Sequence, residues 1–342
     1  MPLTSKNRVL IAVIVLLCVA ASAAGVYLYR MRRPLPAANA GRAPNILSEL
    51  PPDAPVLAYV DVAALRRLQG TSLAALLGIA QPGPQADRDY QEFVRDTGFD
   101  YTRDLDITAI AFWPANVFIP AGQMGENKVV AIGEGRFDRQ KIEAYALRNG
   151  KVVTRGTESL YEVPGAPPVA FKFLSASRIE IASGKDPASL ISLPSAGGPD
   201  AAMQARINRV AGAPIFAVAR TDNLPNSFYT NFRNSHQLES MVRSIRGLTL
   251  AGQPDRGDIK TVLDAECDSI TDAAEISTLL EGFRIVGSMT LADPKERGQM
   301  TREQAAFVIA LLNKTKVTHQ DHWVRLTLDI TPAMLAWSTS GH

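Results

Sequence analysis

The chain has 342 residues, 46% of them hydrophobic, and a net charge of +2, and this length permits one large or two modest domains. Five of the 36 basic side chains and none of the 34 acidic ones lie within the first 33 residues, so the remainder is mildly acidic. This charge distribution excludes a typical nucleic-acid-binding protein. The only cysteines are Cys18, which lies in an apolar run, and Cys267. A disulfide within the folded region is therefore excluded.

The first predicted element is an apolar helix. Residues 1–8 form a short tail, and Val9–Tyr29 follows as 21 residues without a charge, which as a helix span about 30 Å, the thickness of a bilayer core. We predict a transmembrane anchor over residues 9–29, with the lipid bilayer as its partner. The alternative is a cleavable signal peptide, because Ala21-Ser22-Ala23 resembles a cleavage site. A lipoprotein signal fits poorly, since Leu17 precedes Cys18 where a small residue is needed.

The orientation of this anchor follows from weak signals. Lys6 and Arg8 precede the apolar run, and three arginines between residues 30 and 33 follow it, so the distribution of positive charge favours neither side. The short tail resembles the start of a signal sequence. We therefore expect a single-pass protein of the inner (plasma) membrane with its large region outside the cytoplasm.

The next stretch predicts a linker. Six prolines lie between Pro34 and Pro55, and this density favours extended, semi-rigid backbone. We assign residues 30–53 to a proline-rich linker and expect the folded part to begin at Ala54.

The folded part contains two pairs of similar segments, a pattern typical of an internal repeat. The apolar run Ala54–Val60 resembles Ala213–Ala219, and both enter through Ala-Pro. Later, a strand-like run followed by a helix occurs twice, as Lys128–Gly133 with 138–147 and as Ile259–Cys267 with 271–286. This order favours a divergent duplication into two lobes, 54–197 and 198–342.

Individual elements support a mixed fold. The helical signals are the apolar spacing of Ile276, Leu279, Leu280 and Phe283 and the capping-box spacing of Thr301 and Gln304. The strand signals are a hairpin over Val169–Ala182 and the strict alternation from Val324 to Ile330. We therefore predict the α+β class: a transmembrane helix followed by mainly antiparallel sheets with packed helices.

One sequence pattern is a candidate metal site. His319, Asp321 and His322 carry ligand types suited to zinc. However, Gln320-Asp321 is typical of a hairpin tip, and no strong ligand beyond the residues of this turn is near in sequence. We expect a solvated turn, with no metal and no cofactor.

We also expect an inert Cys267, because neighbouring carboxylates raise the pKa of a thiol. No catalytic motif is present, so no catalytic residue is assigned and we expect a non-enzyme.

A second pattern is a candidate interaction loop. The segment 112–127 is too irregular for a strand but contains Trp113, Val117, Phe118 and Ile119. If it projects, these side chains form a partner-binding site, because aromatic residues dominate interface hot spots. If it folds back, it covers the sheet.

The entry into the folded part carries a family resemblance. Leu47–Leu68 contains the phrase Leu50-Pro51-Pro52-Asp53-Ala54-Pro55, followed by a strand and a helix. It resembles the opening of uncharacterised bacterial membrane-anchored proteins. The resemblance implies a bacterial envelope setting and transfers no active site.

These observations predict a membrane-anchored envelope protein whose α+β region binds an unidentified protein or acts as a scaffold. The alternative is a hydrolase or ligand-binding receptor with a pocket between the lobes. A component of a secretion or pilus platform would share the same layout.

Overall fold

The computed structural model describes nine stretches of the chain. They are residues 42–66, 84–113, 127–155, 158–165, 167–191, 198–221, 236–255, 258–293 and 301–330. Contacts divide these residues into a first unit, which ends at Ala219, and a second unit, which begins at Arg220. No helix among these stretches is long and apolar enough to cross a membrane, and the anchor predicted at 9–29 lies outside them.

The structure confirms a mixed fold of helices and antiparallel strands. The strands are β1 (Val56–Asp61), β2 (Leu105–Trp113), β3 (Lys128–Gly135), β4 (Lys151–Arg155), β5 (Glu158–Val163), β6 (Val169–Ser175), β7 (Arg178–Ser183), β8 (Ile215–Arg220), β9 (Ile245–Asp255), β10 (Asp258–Cys267), β11 (Thr315–Gln320) and β12 (Trp323–Ile330). The helices are α1 (Arg42–Leu47), α2 (Val62–Arg66), α3 (Pro84–Thr97), α4 (Tyr101–Asp104), α5 (Arg139–Asn149), α6 (Pro187–Leu190), α7 (Ala201–Val210), α8 (His236–Arg243), α9 (Ile270–Ala292) and α10 (Arg302–Lys314).

The strand order differs between the two units. In the first unit it is β8-β1-β2-β3-β7-β6-β5-β4, and in the second it is β11-β12-β10-β9. Every neighbouring pair within these two series is antiparallel. Strand β4 therefore ends the series of the first unit, and β11 ends that of the second.

Several locally encoded elements lie where the sequence predicted them. The hairpin of β6 and β7 turns at residues 176–177. Helix α5 begins after Asp138, whose carboxylate accepts the backbone N–H of Lys141 as an N-cap. Helix α10 begins at a complete capping box formed by Thr301 and Gln304.

The first part of the folded region was predicted as linker. Helix α1 lies inside the range 30–53, and Ile46, Leu47 and Leu50 are each at most 1% exposed. The folded region therefore begins by Arg42 rather than at Ala54. These three side chains are buried in spite of the nearby prolines because they cover the sheet of the first unit, where α1 contacts β1 and β2. Helix α7 and most of β8, which we had placed in the second lobe, also belong to the first unit.

The two halves of the chain share a pattern of strand pairing. Strands β2 and β3 pair, a helix follows β3, and the hairpin β6–β7 returns so that β7 pairs with β3. Likewise β9 and β10 pair, α9 and α10 follow, and in the hairpin β11–β12 the last strand pairs with β10. This shared order agrees with the predicted duplication, which stays a hypothesis.

The core of the second unit lies under α9. Buried Ala273 and Ile276 of that helix pack with Met241 of α8, Cys267 of β10 and Val324 of β12. The sheet face and the first half of α9 thus form one apolar core, as the alternation in β12 and the stripe beginning at Ile276 predicted.

Candidate interaction surfaces

The predicted interaction loop is described only at its first residue. Trp113 is the last residue of β2, opposite Lys128 on β3, and it is partly buried. Val117, Phe118 and Ile119 lie outside the described residues. Their role in partner binding stays a prediction.

The predicted metal candidates lie at the tip of the β11–β12 hairpin. Gln320 pairs with Trp323, so the two turn residues are Asp321 and His322, one position later than predicted. Asp321 has φ of 52°, a left-handed conformation that aspartate tolerates better than glutamine in such a turn.

The geometry of this tip does not assemble a ligand set. The Nε2 atom of His322 lies 4.0 Å from Glu266 Oε1, and the carbonyl of His322 accepts the backbone N–H of Cys267 at 2.8 Å. His319 is in strand β11, opposite Val324. Among the residues that the structure describes, no three side chains of the metal-binding types come together.

Cys267 is a buried free thiol, 3% exposed. Burial, followed by the charges of Asp272, Asp268 and Glu266, raises the pKa of its thiol to about 11. The sequence predicted the effect of adjacent carboxylates, but desolvation is the larger cause. At neutral pH the sulfur is protonated and therefore a poor nucleophile.

A surface that the sequence did not predict lies on the second half of α9. The helix begins at Ser269, whose hydroxyl accepts the backbone N–H of Asp272 at 3.1 Å, and its 23 residues extend for about 34 Å. Its second half packs against α10, where Leu291 joins Ala305 and Val308 in a small cluster. A Cβ on Gly287 would lie 3.3 Å from the Leu312 side chain, so the two helices approach closely there.

The opposite side of this half of α9 is apolar and exposed. Ile285, Val286 and Met289 are 46%, 60% and 68% exposed. At about 100° per residue they fall within an arc of about 100° on the helix. We call these three residues the α9 stripe. Farther toward the N-terminus the exposed residues Thr271, Glu275 and Thr278 are polar, and Ile270 at the start of the helix is exposed and apolar.

Along the part of α9 that the structure describes, the stripe is bordered by polar residues, with an ion pair before it and Asp293 after it. No charged residue occurs from Ile285 to Ala292. Just before the stripe, Arg284 and Glu281 form a bidentate ion pair at 2.6 and 2.8 Å. An uncharged apolar centre with a polar rim is typical of a protein interface, and methionine is enriched at such sites.

The sequence contained a signal for the α9 stripe. The predicted stripe of Ile276, Leu279, Leu280 and Phe283 marks only the inner side of the helix. Between Ile285 and Ala292 apolar residues occur on two opposite sides of the helix. A helix that is hydrophobic on all sides is normally buried by neighbouring elements on all sides. Which side α10 covers depends on tertiary packing, so the exposed side could not be assigned from the sequence.

Comparison with known proteins yields a likeness of fold. No family model and no curated sequence matches the chain. Crystal forms I, III and IV of TP0453 are similar in structure, with TM-scores of 0.43, 0.45 and 0.41 and identities of 9%, 10% and 11%. The matches cover 85–86% of this chain and 94–96% of TP0453. At this distance the likeness concerns the fold alone.

Proposed function

We propose that the protein is a single-pass membrane-anchored protein of the cell envelope whose extracytoplasmic α+β region binds another protein without catalysing a reaction. The α9 stripe carries this proposal, because three large apolar side chains project together from a helix whose inner side is already packed. Exposed apolar patches of this kind are typical of interaction sites. The anchor itself rests on the charge-free run from Val9 to Tyr29.

The partner surface that fits the α9 stripe is an uncharged apolar ridge on another protein. Burying the stripe removes apolar area from water, which favours association. The Arg284–Glu281 pair beside it is satisfied internally. An interface over the stripe therefore need not neutralise that pair.

The test is site-specific photocrosslinking of the full-length protein in cells, with the photoreactive residue at position 286. We expect one dominant crosslinked protein, and the same protein when the photoreactive residue is placed at position 285 instead. The crosslink from position 285 should be lost in Val286→Asp and in Met289→Asp, each introduced alone. The matched control is Ile270→Asp, because Ile270 is 64% exposed at the other end of the same helix. The crosslink should persist in this control.

Two results would contradict the proposal. One is a crosslinking pattern that is the same in all variants, and the other is the absence of any reproducible product. The membrane topology has its own test, in which reporters active only inside or only outside the cytoplasm are fused to the carboxyl terminus. Activity of the cytoplasmic reporter alone would refute the proposed orientation.

A further inference from the structure

The first unit ends its sheet at β4, and this edge is a second surface of a different kind. Residues Lys151 to Arg155 pair with Glu162 to Glu158 of β5. Among the described residues, no strand pairs with the other edge of β4. Because alternate residues of an edge strand direct their N–H and C=O groups away from the sheet, β4 presents backbone donors and acceptors at the spacing of another strand.

The edge is held in place by the turn that precedes it. Gly150 separates α5 from β4, and a Cβ at this position would collide with the carbonyl oxygen of Glu162. The close approach of the two main chains therefore requires glycine here. It fixes the start of β4 against β5, so an added strand would meet a preorganised backbone.

Apolar side chains lie beside this edge. Val152 on β4 is 42% exposed, and Leu147 at the end of α5 is 57% exposed. Val152 is opposite Tyr161 in the sheet register, and Tyr161 packs against the cluster of Ile142 and Ala146 on α5. One face of the edge thus has an apolar border.

The other face of β4 carries its two basic residues, Lys151 and Arg155, and each is opposite an acidic residue of β5, Glu162 and Glu158. Strand β4 has the sequence Lys-Val-Val-Thr-Arg, with two cations and no acid. The Lys151 side chain is 67% exposed, and its Nζ atom lies 3.3 Å from Glu162. Antiparallel pairing of two copies about Val153 would place Lys151 opposite Arg155. Like charges directly opposite are unfavourable, so this pairing of two copies is disfavoured. A strand with carboxylates opposite the β4 cations would instead continue the alternation of charge from β5 across the sheet.

We propose that β4 binds an extended acidic segment of a partner protein as an added antiparallel strand. The segment alternates acidic and apolar residues, with carboxylates on the Lys151 face and apolar side chains on the Val152 face. Main-chain hydrogen bonds provide the affinity, and the alternating side chains provide the selectivity. This surface belongs to a different unit from the α9 stripe and does not depend on it.

The test uses the full-length protein and a fluorescein-labelled peptide of alternating glutamate and valine, six residues long. Binding is measured by fluorescence anisotropy, and the exchange of the β4 amides is measured by hydrogen-exchange mass spectrometry. We expect saturable binding that weakens as salt is added, together with slower exchange in residues 151–155. A peptide N-methylated at every residue should not bind, because it has no backbone N–H to donate from either edge.

Two variants distinguish side-chain contributions. Lys151→Glu should weaken binding about threefold to tenfold, because it replaces an exposed attraction by a repulsion. Val152→Asp should weaken it as well. The control is Leu174→Asp, since Leu174 is also an exposed apolar residue of this unit, 39% exposed, but lies on β6, away from β4. Binding should be unchanged in this control.

Several outcomes would overturn the proposal. They are no binding up to millimolar peptide, binding that survives N-methylation, and binding without slower exchange in β4. Concentration-dependent self-association of the protein that protects the same amides would instead assign the edge to a second copy.

Discussion

A buried ion pair in the first unit provides a quantitative prediction. Lys172 on β6 and Glu180 on β7 are directly opposite each other, and their side chains are 8% and 4% exposed. The Lys172 Nζ atom lies 3.6 Å from Glu180 Oε2 and 2.7 Å from Glu158 Oε2. Glu158 differs from Glu180 because its side chain is 38% exposed.

The change to make is Lys172→Met, which removes the ammonium group that faces Glu180. At 3.6 Å and an effective dielectric constant of about 20, the attraction lost is about 5 kcal/mol. Mutations that break one half of a buried pair cost about 3–5 kcal/mol. We expect a decrease of this size in the free energy of unfolding. Glu158→Gln should cost about 1 kcal/mol or less, because water already solvates that carboxylate.

The double variant Lys172→Met/Glu180→Leu should recover most of the loss, since replacing a buried pair by apolar side chains is often neutral or stabilising. The assay is urea unfolding followed by circular dichroism, with hydrogen exchange of peptides from β6 and β7 assigning the transition to the first unit. A cost of Lys172→Met no larger than that of Glu158→Gln would contradict a buried pair at this position. A double variant no more stable than Lys172→Met would contradict it equally.

Three further predictions concern the second unit. Arg325→Ala should lower the free energy of unfolding, measured by urea titration, by about 2–3 kcal/mol. Asp264 is 1% exposed, and the substitution removes the arginine that bonds to both of its carboxylate oxygens, at 2.6 and 2.7 Å. A loss below about 0.5 kcal/mol would contradict this prediction. Thr301→Ala should cost about 1 kcal/mol by removing the capping box with Gln304, whereas Thr301→Ser should cost much less. Folding raises the pKa of the Cys267 thiol from 9.0 to about 11. Between pH 9.0 and about 11 the folded state therefore keeps a thiol proton that the unfolded state has lost. Stability contributed by the protonated thiol is therefore present below pH 9 and decreases by up to about 1.4 kcal/mol per pH unit between pH 9 and about 11. Urea titrations from pH 8 to 11 should show a shallower decline in Cys267→Ala, and an equal slope would refute the assignment.

The elements that the sequence predicted well depend on interactions between residues close in the chain. The helix predicted over 138–147 begins at the Asp138 cap, and the predicted capping box joins Thr301 and Gln304; in both, a side chain bonds to a backbone group three residues away. The β6–β7 hairpin needs only a short turn between two apolar runs. Short-range signals of this kind can be recognised without knowledge of the rest of the fold.

The predictions that failed depend on burial by distant parts of the chain. The proline content before Pro55 favoured a linker, but α1 is folded there because Ile46, Leu47 and Leu50 cover the first unit. The turn of the last hairpin was predicted one residue too early. Gln320 pairs with Trp323, so the alternation of buried side chains in β12 and the left-handed conformation of Asp321 together fix the position of the turn.

The candidate surfaces show the same division. The α+β class and the charge-free run at the amino terminus could be predicted from the sequence, whereas the exposed side of α9 and the edge position of β4 could not. Tertiary packing determines which side of α9 lies against α10 and which strand of the first unit is at the edge. Periodicity shows which side chains avoid water, but their exposure depends on neighbours that are distant in the chain.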